Sequence, residues 1–110
     1  MYIEYFRMRE TAQPPRRANP SDAGMDLAFA PESREGVTIR PGESVICATG
    51  LKFGVPHGYM LQIMNRSGVA AMRSLVVGAC VVDAGYNGEV FINLHNIGQD
   101  VQTVEPGERI

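Results

Sequence analysis

The feature that most restricts the fold of this chain is the spacing of its glycines and prolines. Twelve glycines and seven prolines divide the 110 residues into short pieces, and no segment keeps a 3.6-residue apolar period for three turns. The stretch VTIRPGESVICATGLKFGVPHGYMLQIMNRSG alternates strand-like runs with Pro-Gly and VPHG turns. Many short strands joined by such turns are typical of sandwiches, jelly rolls and barrels. The sequence therefore predicts a single all-β domain over residues 1–110.

Four segments give more specific predictions. Apolar and polar residues alternate in residues 51–55 and 90–95, which is typical of strands with one buried face. The stretch SLVVGACVV, residues 74–82, is continuously apolar and predicts one strand that is buried on both faces. The stretch GVAAMRS, residues 68–74, predicts at most one short helical turn.

The segments near the two ends of the chain give two further expectations. Residues 27–30 follow an N-terminal loop and predict a strand. The C-terminal VQTVEPGERI begins a strand and stops at Ile110, which would leave an unpaired strand edge of the kind that native proteins usually protect. We therefore expect this final strand either to pair with a neighbouring subunit or to be cut short.

Charge and composition exclude several classes of function. The formal net charge is −2, with nine arginines and one lysine, and this does not supply the dense positive patch of a nucleic-acid-binding protein. No apolar run approaches the roughly 20 residues of a membrane span, and MYIEYFRMRE does not resemble a signal peptide. Cys47 and Cys80 have neither metal-site spacing nor a CxxC context. They predict buried free thiols in a reducing cytosol, with a single disulfide as the alternative.

The stretch VVDAGYNGEV ends an apolar run on a carboxylate. A hairpin turn in which Gly85 and Gly88 supply positive φ angles would place Asp83 at the rim of the sheet. Tyr86 would stand on the turn, with its ring free to pack against a planar group or a sugar. The alternative is an aspartate that caps the turn and a tyrosine that packs against the protein.

Two other stretches contain candidate binding residues. In NRSG, an arginine, a hydroxyl and an unshielded glycine amide at Arg66, Ser67 and Gly68 are a candidate anion-binding site. The alternative is a surface arginine beside a turn. In SDAGMDLAFA, the glycine between Asp22 and Asp26 allows either carboxylate to turn inward. The alternative is an N-terminal loop that leads into a strand over residues 27–30, with Asp26 accepting hydrogen bonds from loop amides.

The remaining charged and titratable residues have simpler predictions. His57 and His95 have no partner at metal-ligand spacing, so we expect them in turn or surface roles. Glu89 lies at a predicted strand edge and is expected to be solvated. Glu108 and Arg109 are expected to be exposed.

Taken in order, these motifs resemble those of the trimeric dUTPase family, the deoxyuridine triphosphate nucleotidohydrolases. AGMDL is similar to the first motif, NRSGVA to the second, GACVVDAGYNGEVFINLHN to the third and PGERI to the opening of the fourth. PGESVICATGLKFGVPHGY also follows the family, so the resemblance covers nearly the whole chain. It implies a dUTPase-like jelly-roll or β-clip domain. It also implies Mg²⁺-dependent hydrolysis of dUTP to dUMP and pyrophosphate, at sites between the subunits of a cytoplasmic homotrimer.

The resemblance implies roles for the residues of the third motif. Asp83 would orient and deprotonate the water that attacks the α-phosphorus of dUTP. Tyr86 would pack against the deoxyribose and leave no room for a ribose 2′-hydroxyl. Backbone groups near Cys80 and Val82, and on the following strand, would bind the edge of the uracil.

The resemblance also implies a phosphate-binding half of the site. Arg66, Ser67 and the Gly68 amide would hold the phosphate chain. Asp26 would lie near the waters bound to magnesium. The ion itself would be carried by the triphosphate, where it neutralises charge and aligns an in-line attack.

The chain departs from the family pattern at three points. Asn65 stands where proline is frequent, and Cys80 stands where glycine is frequent, close to the expected position of the uracil. The rest of the fourth motif and the glycine-rich fifth motif are absent from these 110 residues. Since the fifth motif closes over the nucleotide in the family, we expect a site without its lid.

Two other functions remain open on the sequence. The dCTP deaminases resemble dUTPases in fold, but that branch has a glutamate at the position of Asn93 and prefers a second serine at the position of Gly68. Both residues therefore favour the phosphohydrolase. The other alternative is a dUTPase-like domain without activity that binds a nucleotide or a protein partner.

Overall fold

The computed structural model of the chain describes residues 2–110. These residues form nine strands and one helix, which are β1 (Glu4–Arg7), β2 (Val37–Ile39), β3 (Ser44–Ala48), β4 (Leu51–Gly54), β5 (Met60–Gln62), α1 (Ser67–Arg73), β6 (Leu75–Val77), β7 (Val81–Asp83), β8 (Phe91–Asn96) and β9 (Gln102–Val104). The all-β class is therefore confirmed. The helix has seven residues, about two turns, where the sequence predicted one. Within the described range, no helix has the length and apolar character needed to cross a membrane.

The strands pair in an antiparallel manner in four small sheets across residues 2–110. One sheet has the order β3-β8-β6, and the other three are the pairs β1-β4, β2-β9 and β5-β7. Strand β8 is central, with β3 on one side and β6 on the other. β7 pairs with β5 rather than with β8, so the DAGYNG loop connects two different sheets.

The main hydrophobic core joins residues of strands β2, β3, β6, β8 and β9 with the helix. Its buried members are Phe29, Ile39, Cys47, Val69, Leu75, Ile92, Leu94, Val104 and Ile110. Val90, Ile92 and Leu94 are at most 2% exposed, whereas Phe91 is 43% exposed, which confirms the alternation predicted for residues 90–95. Burial of each such aliphatic side chain contributes roughly 1.5–3 kcal/mol, so this strand is a rigid support for the loop that precedes it.

The prediction of one continuous strand over residues 74–82 was wrong, because this segment is divided between β6 and β7 in two different sheets. A Cβ atom at Gly78 would lie 2.4 Å from both Asn93 Oδ1 and His95 Nε2. Asn93 Oδ1 also accepts a hydrogen bond from the Ala79 amide at 3.1 Å. The chain therefore bends where a glycine allows close contact with β8.

The expectation of a strand over residues 27–30 was also wrong. Residues 27–30 form no strand, and Ala28 makes only an isolated bridge with Arg109. The residues after β9 do not leave an unpaired edge, because Gly107, at φ 91°, leads the chain back onto this segment. Phe29 donates its amide to the Glu108 carbonyl at 2.8 Å, and Ile110 donates its amide to the Leu27 carbonyl at 2.9 Å. The last residues therefore pair inside the chain.

Candidate functional site

The predicted site residues line two pockets of the same chain. The first, with a volume of about 370 Å³, is called here the Arg66 pocket, and its lining includes Asp22, Asp26, Arg66, Ser67 and Gly68. The second, with a volume of about 210 Å³, is called the Asp83 pocket, and its lining includes Cys80, Val82, Asp83, Tyr86 and Glu89. Ile63, just beyond β5, lines both. The residues predicted for phosphate and those predicted for the nucleoside therefore lie in separate, adjoining pockets.

Asp83 is the last residue of β7 and is exposed at the end of the strand. Its backbone is fixed on both sides, because it pairs with Met60 of β5 and its carbonyl accepts the Tyr86 amide at 3.0 Å. A carboxylate held at a strand end in this way has a defined position while remaining accessible to a substrate.

The Tyr86 ring lies over the backbone of its own loop and is 44% exposed. Its phenol donates a hydrogen bond to the Glu89 carbonyl, and a Cβ atom at Gly88 would lie 2.8 Å from the phenol oxygen. The prediction of positive φ angles at the two loop glycines was wrong, since neither Gly85 nor Gly88 has one. Gly88 is instead required by the close approach of the tyrosine ring.

Glu89 is not solvated as expected, and its side chain is only 11% exposed. Both carboxylate oxygens accept hydrogen bonds from the guanidinium of Arg9, and Oε2 also accepts the Gly50 amide at 2.9 Å. Arg9 was not among the candidate residues that the sequence indicated. It lies 80 positions from its partner, and no local pattern indicates such a contact.

The Arg66 pocket contains the beginning of α1. Arg66 is the N-cap residue of the helix, and the amides of Ser67 and Gly68 are among the first of the helix, which have no intrahelical carbonyl to bind. A Cβ atom at Gly68 would meet nothing within 4 Å, so no neighbouring group crowds the side-chain direction of this residue. The loop before the helix is anchored to β6, because Asn65 Oδ1 accepts the Val77 amide at 2.7 Å.

Of the two carboxylates in SDAGMDLAFA, Asp26 is the one that is paired with the candidate anion-binding arginine. Its Oδ1 lies 3.3 Å from Arg66 Nε. Asp22 also lines the pocket, but its Oδ2 accepts the Asn19 amide at 2.9 Å. The two aspartates therefore have different roles.

Arg109 is half-buried, contrary to the prediction of an exposed charge. It donates to the Asp26 carbonyl at 2.7 Å, and its own carbonyl accepts from Arg66 Nη1. Burial is the main factor that lowers the pKa of Arg109, and Arg16 lowers it further, whereas Asp26 raises it. The C-terminal PGERI segment thus braces the first and second motifs.

Glu108 is also paired rather than free. Its Oε2 accepts from Arg73 Nη1 at 2.9 Å, and Arg73 Nε donates to Gln102 at 3.1 Å. Arg73 is the last residue of α1. The helix is therefore tied to the C-terminal segment at both of its ends, through Arg66 and through Arg73.

The cysteines and histidines differ in their environments. Cys47 and Cys80 are both free in the part of the chain that the structure describes. Cys47 is buried, and burial raises its pKa to about 11, whereas Cys80 is half-buried in the Asp83 pocket. His57 is exposed on a turn, and His95 is half-buried with its Nε2 3.1 Å from Asn93 Oδ1. Among residues 2–110, no group of three or more His, Cys, Asp or Glu side chains is placed to hold a metal ion.

Comparison with known proteins gives one consistent family. The family model described as dUTPase matches residues 10–110. A deoxyuridine 5′-triphosphate nucleotidohydrolase of Agrobacterium fabrum is 43% identical over 90 residues, which cover 80% of this chain and 58% of the relative. The enzyme of the same name from Desulfotalea psychrophila is 37% identical over 106 residues, which cover 94% of this chain and 69% of the relative. The chain thus spans little more than half the length of the first of these relatives.

Solved structures agree with these matches. The dUTPase of Staphylococcus bacteriophage 80alpha, as a mutant with dUpNHpp, matches with a TM-score of 0.89 and 26% identity over 99% of this chain and 78% of that chain. A mutant dUTPase from phage phi11 of S. aureus, described as coordinating a structural Mg(II) ion, matches with a TM-score of 0.89 over 100% of this chain and 86% of that chain. Its identity is 24%, so this second likeness shows the fold alone.

Proposed function

The chain belongs to the dUTPase family, and from this membership we propose that it hydrolyses dUTP to dUMP and pyrophosphate. The observation that supports this most directly is the pair of adjoining pockets. One offers a fixed, accessible carboxylate beside an aromatic ring. The other offers an arginine, a hydroxyl and the first amides of α1 for an anion.

The reaction needs a base at a defined place. Asp83 would accept a proton from a water molecule as the water oxygen forms a bond to the α-phosphorus. The bond from that phosphorus to the oxygen bridging the α- and β-phosphates breaks, and pyrophosphate leaves. Asp83 is fixed through β5 and through the amide of Tyr86. Little reorganisation of the protein is therefore needed to bring the base into position.

The Asp83 pocket would hold the nucleoside. One side of Tyr86 contacts its own loop at Gly88 and Glu89, and its exposed part would pack against the deoxyribose. Backbone groups around Cys80 and Val82 would bind the uracil edge. This assignment is supported by the presence of all three residues along one pocket.

The Arg66 pocket would hold the triphosphate through Arg66, Ser67 and the Gly68 amide. Magnesium fits this pocket as an ion carried by the substrate, because Mg²⁺ usually keeps several waters and needs only one or two carboxylates besides phosphate oxygens. The carboxylate of Asp26 lines the pocket and would contact those waters. When bound, the ion would neutralise phosphate charge in the transition state.

We propose that complete sites form between the subunits of a homotrimer. The two sets of residues line different pockets of one chain, with Ile63 common to both, and membership of the dUTPase family supports a nucleotide that is held by the Asp83 pocket of one subunit and the Arg66 pocket of another. A monomer would then be inactive. The two free cysteines are consistent with a reducing cytoplasm as the location of the enzyme.

Co-expression of two inactive variants tests this proposal. Asp83→Asn removes the base, and Arg66→Met removes the phosphate ligand, so each variant alone should release little pyrophosphate from dUTP. If the two residues act on one nucleotide from different subunits, random assortment of an equal mixture restores about one quarter of all sites, which is one site in each mixed trimer. No recovery in the mixture, with each variant inactive alone, would contradict a site shared between subunits.

The deaminase alternative is not favoured by the relatives, which are named as nucleotidohydrolases. The structure gives Asn93 a different task, because its amide oxygen accepts from Ala79 and its amide nitrogen donates to the Val45 carbonyl at 3.2 Å. A glutamate at this position would lose the second of these bonds, since an ionised carboxylate cannot donate.

A further inference from the structure

We propose that the ion pair between Arg9 and Glu89 positions Tyr86 and thereby sets how strongly the protein discriminates between deoxyribose and ribose nucleotides. The consequence for the sugar rests on the proposed function. The positioning itself is a statement about the loop of residues 84–90, and it can be tested without turnover.

The ion pair has the geometry of a fixed support. Arg9 donates to both carboxylate oxygens of Glu89, and the two side chains are 17% and 11% exposed. Bidentate pairs of arginine and carboxylate are among the strongest and most directional polar contacts in proteins. Arg9 Nε also donates to the Ala30 carbonyl at 2.8 Å, so the guanidinium is itself held by a second segment.

Glu89 transmits this position to the tyrosine. Its carboxylate accepts the Gly50 amide, which fixes the side chain from another direction. Its carbonyl accepts the phenol of Tyr86. The next residue, Val90, is 2% exposed, and its amide donates to the Leu51 carbonyl at 2.8 Å. Arg9 thus acts on Tyr86 through Glu89, whose carboxylate binds Arg9 and whose carbonyl binds the phenol.

The ion pair between Arg9 and Glu89 would affect the discrimination between deoxyribose and ribose more than it affects the rate of hydrolysis. Arg9 and Asp83 share no contact, and Arg9 lines a different pocket from that of Asp83. A sugar hydroxyl is excluded only if the packing ring cannot move away, and an apolar wall rejects an added hydroxyl by about 100-fold at most. A ring that is free to shift would accept ribose more readily while still binding deoxyribose.

The first measurement is hydrogen exchange of the full chain. Arg9→Met should increase deuterium uptake in peptides that cover residues 84–90. The matched control is Arg73→Met, which removes another half-buried arginine with a carboxylate partner, Glu108, but touches no residue of that loop. Equal uptake in residues 84–90 for the two variants would overturn the positioning role.

The second measurement is calorimetric binding of α,β-imido-dUTP and α,β-imido-UTP, which does not depend on hydrolysis. Arg9→Met should lower the ratio of the two affinities by about 5- to 10-fold. Arg9→Lys, which keeps the charge but not the bidentate geometry, should give an intermediate ratio. Arg73→Met should change both affinities by the same factor and leave the ratio unaltered.

A double-mutant cycle separates positioning from general destabilisation. In a Tyr86→Ala background, Arg9→Met should leave the affinity ratio unchanged within about twofold, because the residue through which Arg9 acts is gone. An equal loss of ratio in both backgrounds would overturn the inference, as would an unchanged ratio in Arg9→Met alone. Failure of the proposed hydrolysis would appear differently, as wild-type binding of both analogues without release of pyrophosphate from dUTP.

Discussion

Replacement of Gly88 by alanine is the smallest change that should displace Tyr86. The new Cβ atom would lie 2.8 Å from the phenol oxygen and 2.9 Å from the adjoining ring carbon, so the ring must move. Gly85 offers a matched control in the same loop, because a Cβ atom there meets nothing within 4 Å and neither glycine has a positive φ angle.

The expected magnitudes follow from these contacts. Gly85→Ala should raise the free energy of unfolding by about 0.4–1 kcal/mol, because alanine restricts the unfolded chain. Gly88→Ala gains the same term but loses the hydrogen bond from Tyr86 to the Glu89 carbonyl, which is worth about 0.5–1.5 kcal/mol. Gly88→Ala should therefore be about 1 kcal/mol less stable than Gly85→Ala, and both variants should remain folded.

The functional effect should be larger than the effect on stability. With the ring displaced, discrimination between dUTP and UTP should fall by about tenfold in Gly88→Ala and remain at the wild-type level in Gly85→Ala. Urea unfolding gives the stabilities, and kcat/KM for the two nucleotides gives the discrimination. Equal discrimination in the two variants would refute the reasoning that the position of Tyr86 determines sugar selectivity.

Three further variants test other parts of the account. Asp83→Asn should keep nucleotide affinity within about threefold while pyrophosphate release falls about 100- to 10,000-fold, and wild-type rates would remove Asp83 from the role of base. Thr49→Val should lower the free energy of unfolding in urea by about 1–3 kcal/mol, because the buried hydroxyl donates to the Val90 carbonyl at 2.6 Å and accepts the Leu51 amide. The buried thiol of Cys47 has its pKa raised from 9.0 to about 11, so the unfolded chain loses this proton first and stability should fall between pH 9 and 11. Cys47→Ala should lack this component of the decline, and identical pH profiles of unfolding would contradict it.

The all-β class and the alternation along the strands could be predicted because both depend on residues that are close together in the sequence. Turn residues mark where strands end, and period-2 alternation marks which side chains are buried. Residues 90–95 illustrate this, since three alternate apolar residues are buried while Phe91 remains exposed.

The division of SLVVGACVV between two sheets could not be predicted in this way. Its apolar character is uniform, and the bend at Gly78 arises from side chains of β8, Asn93 and His95, that lie about 15 positions further along the chain. An isolated glycine inside a strand pattern does indicate a bulge or a close approach of two backbones. Gly78 is such a glycine, but the continuous apolar character of residues 74–82 favoured the prediction of a single strand.

The charged residues show the same limit for the candidate site. The motif residues Asp83, Tyr86 and Arg66 do line pockets, the first two the Asp83 pocket and the third the Arg66 pocket. Residues that are close together in a short motif are also close together in the fold. Glu89 and Arg109 were expected to be exposed, yet both are held by partners 80 and 83 positions away. Pairing over such a distance depends on the tertiary fold, and a single sequence contains no local pattern that indicates it.

The most direct test of the central claim is pyrophosphate release by the 110-residue chain with dUTP, dCTP and UTP, each with magnesium. We expect selective release from dUTP, with little from UTP or dCTP. Release from all three at similar rates would contradict the assignment of the Asp83 pocket to a uracil deoxynucleoside. No release from any of them, from a folded and trimeric chain, would contradict the hydrolase itself and favour a domain that binds nucleotide without turnover.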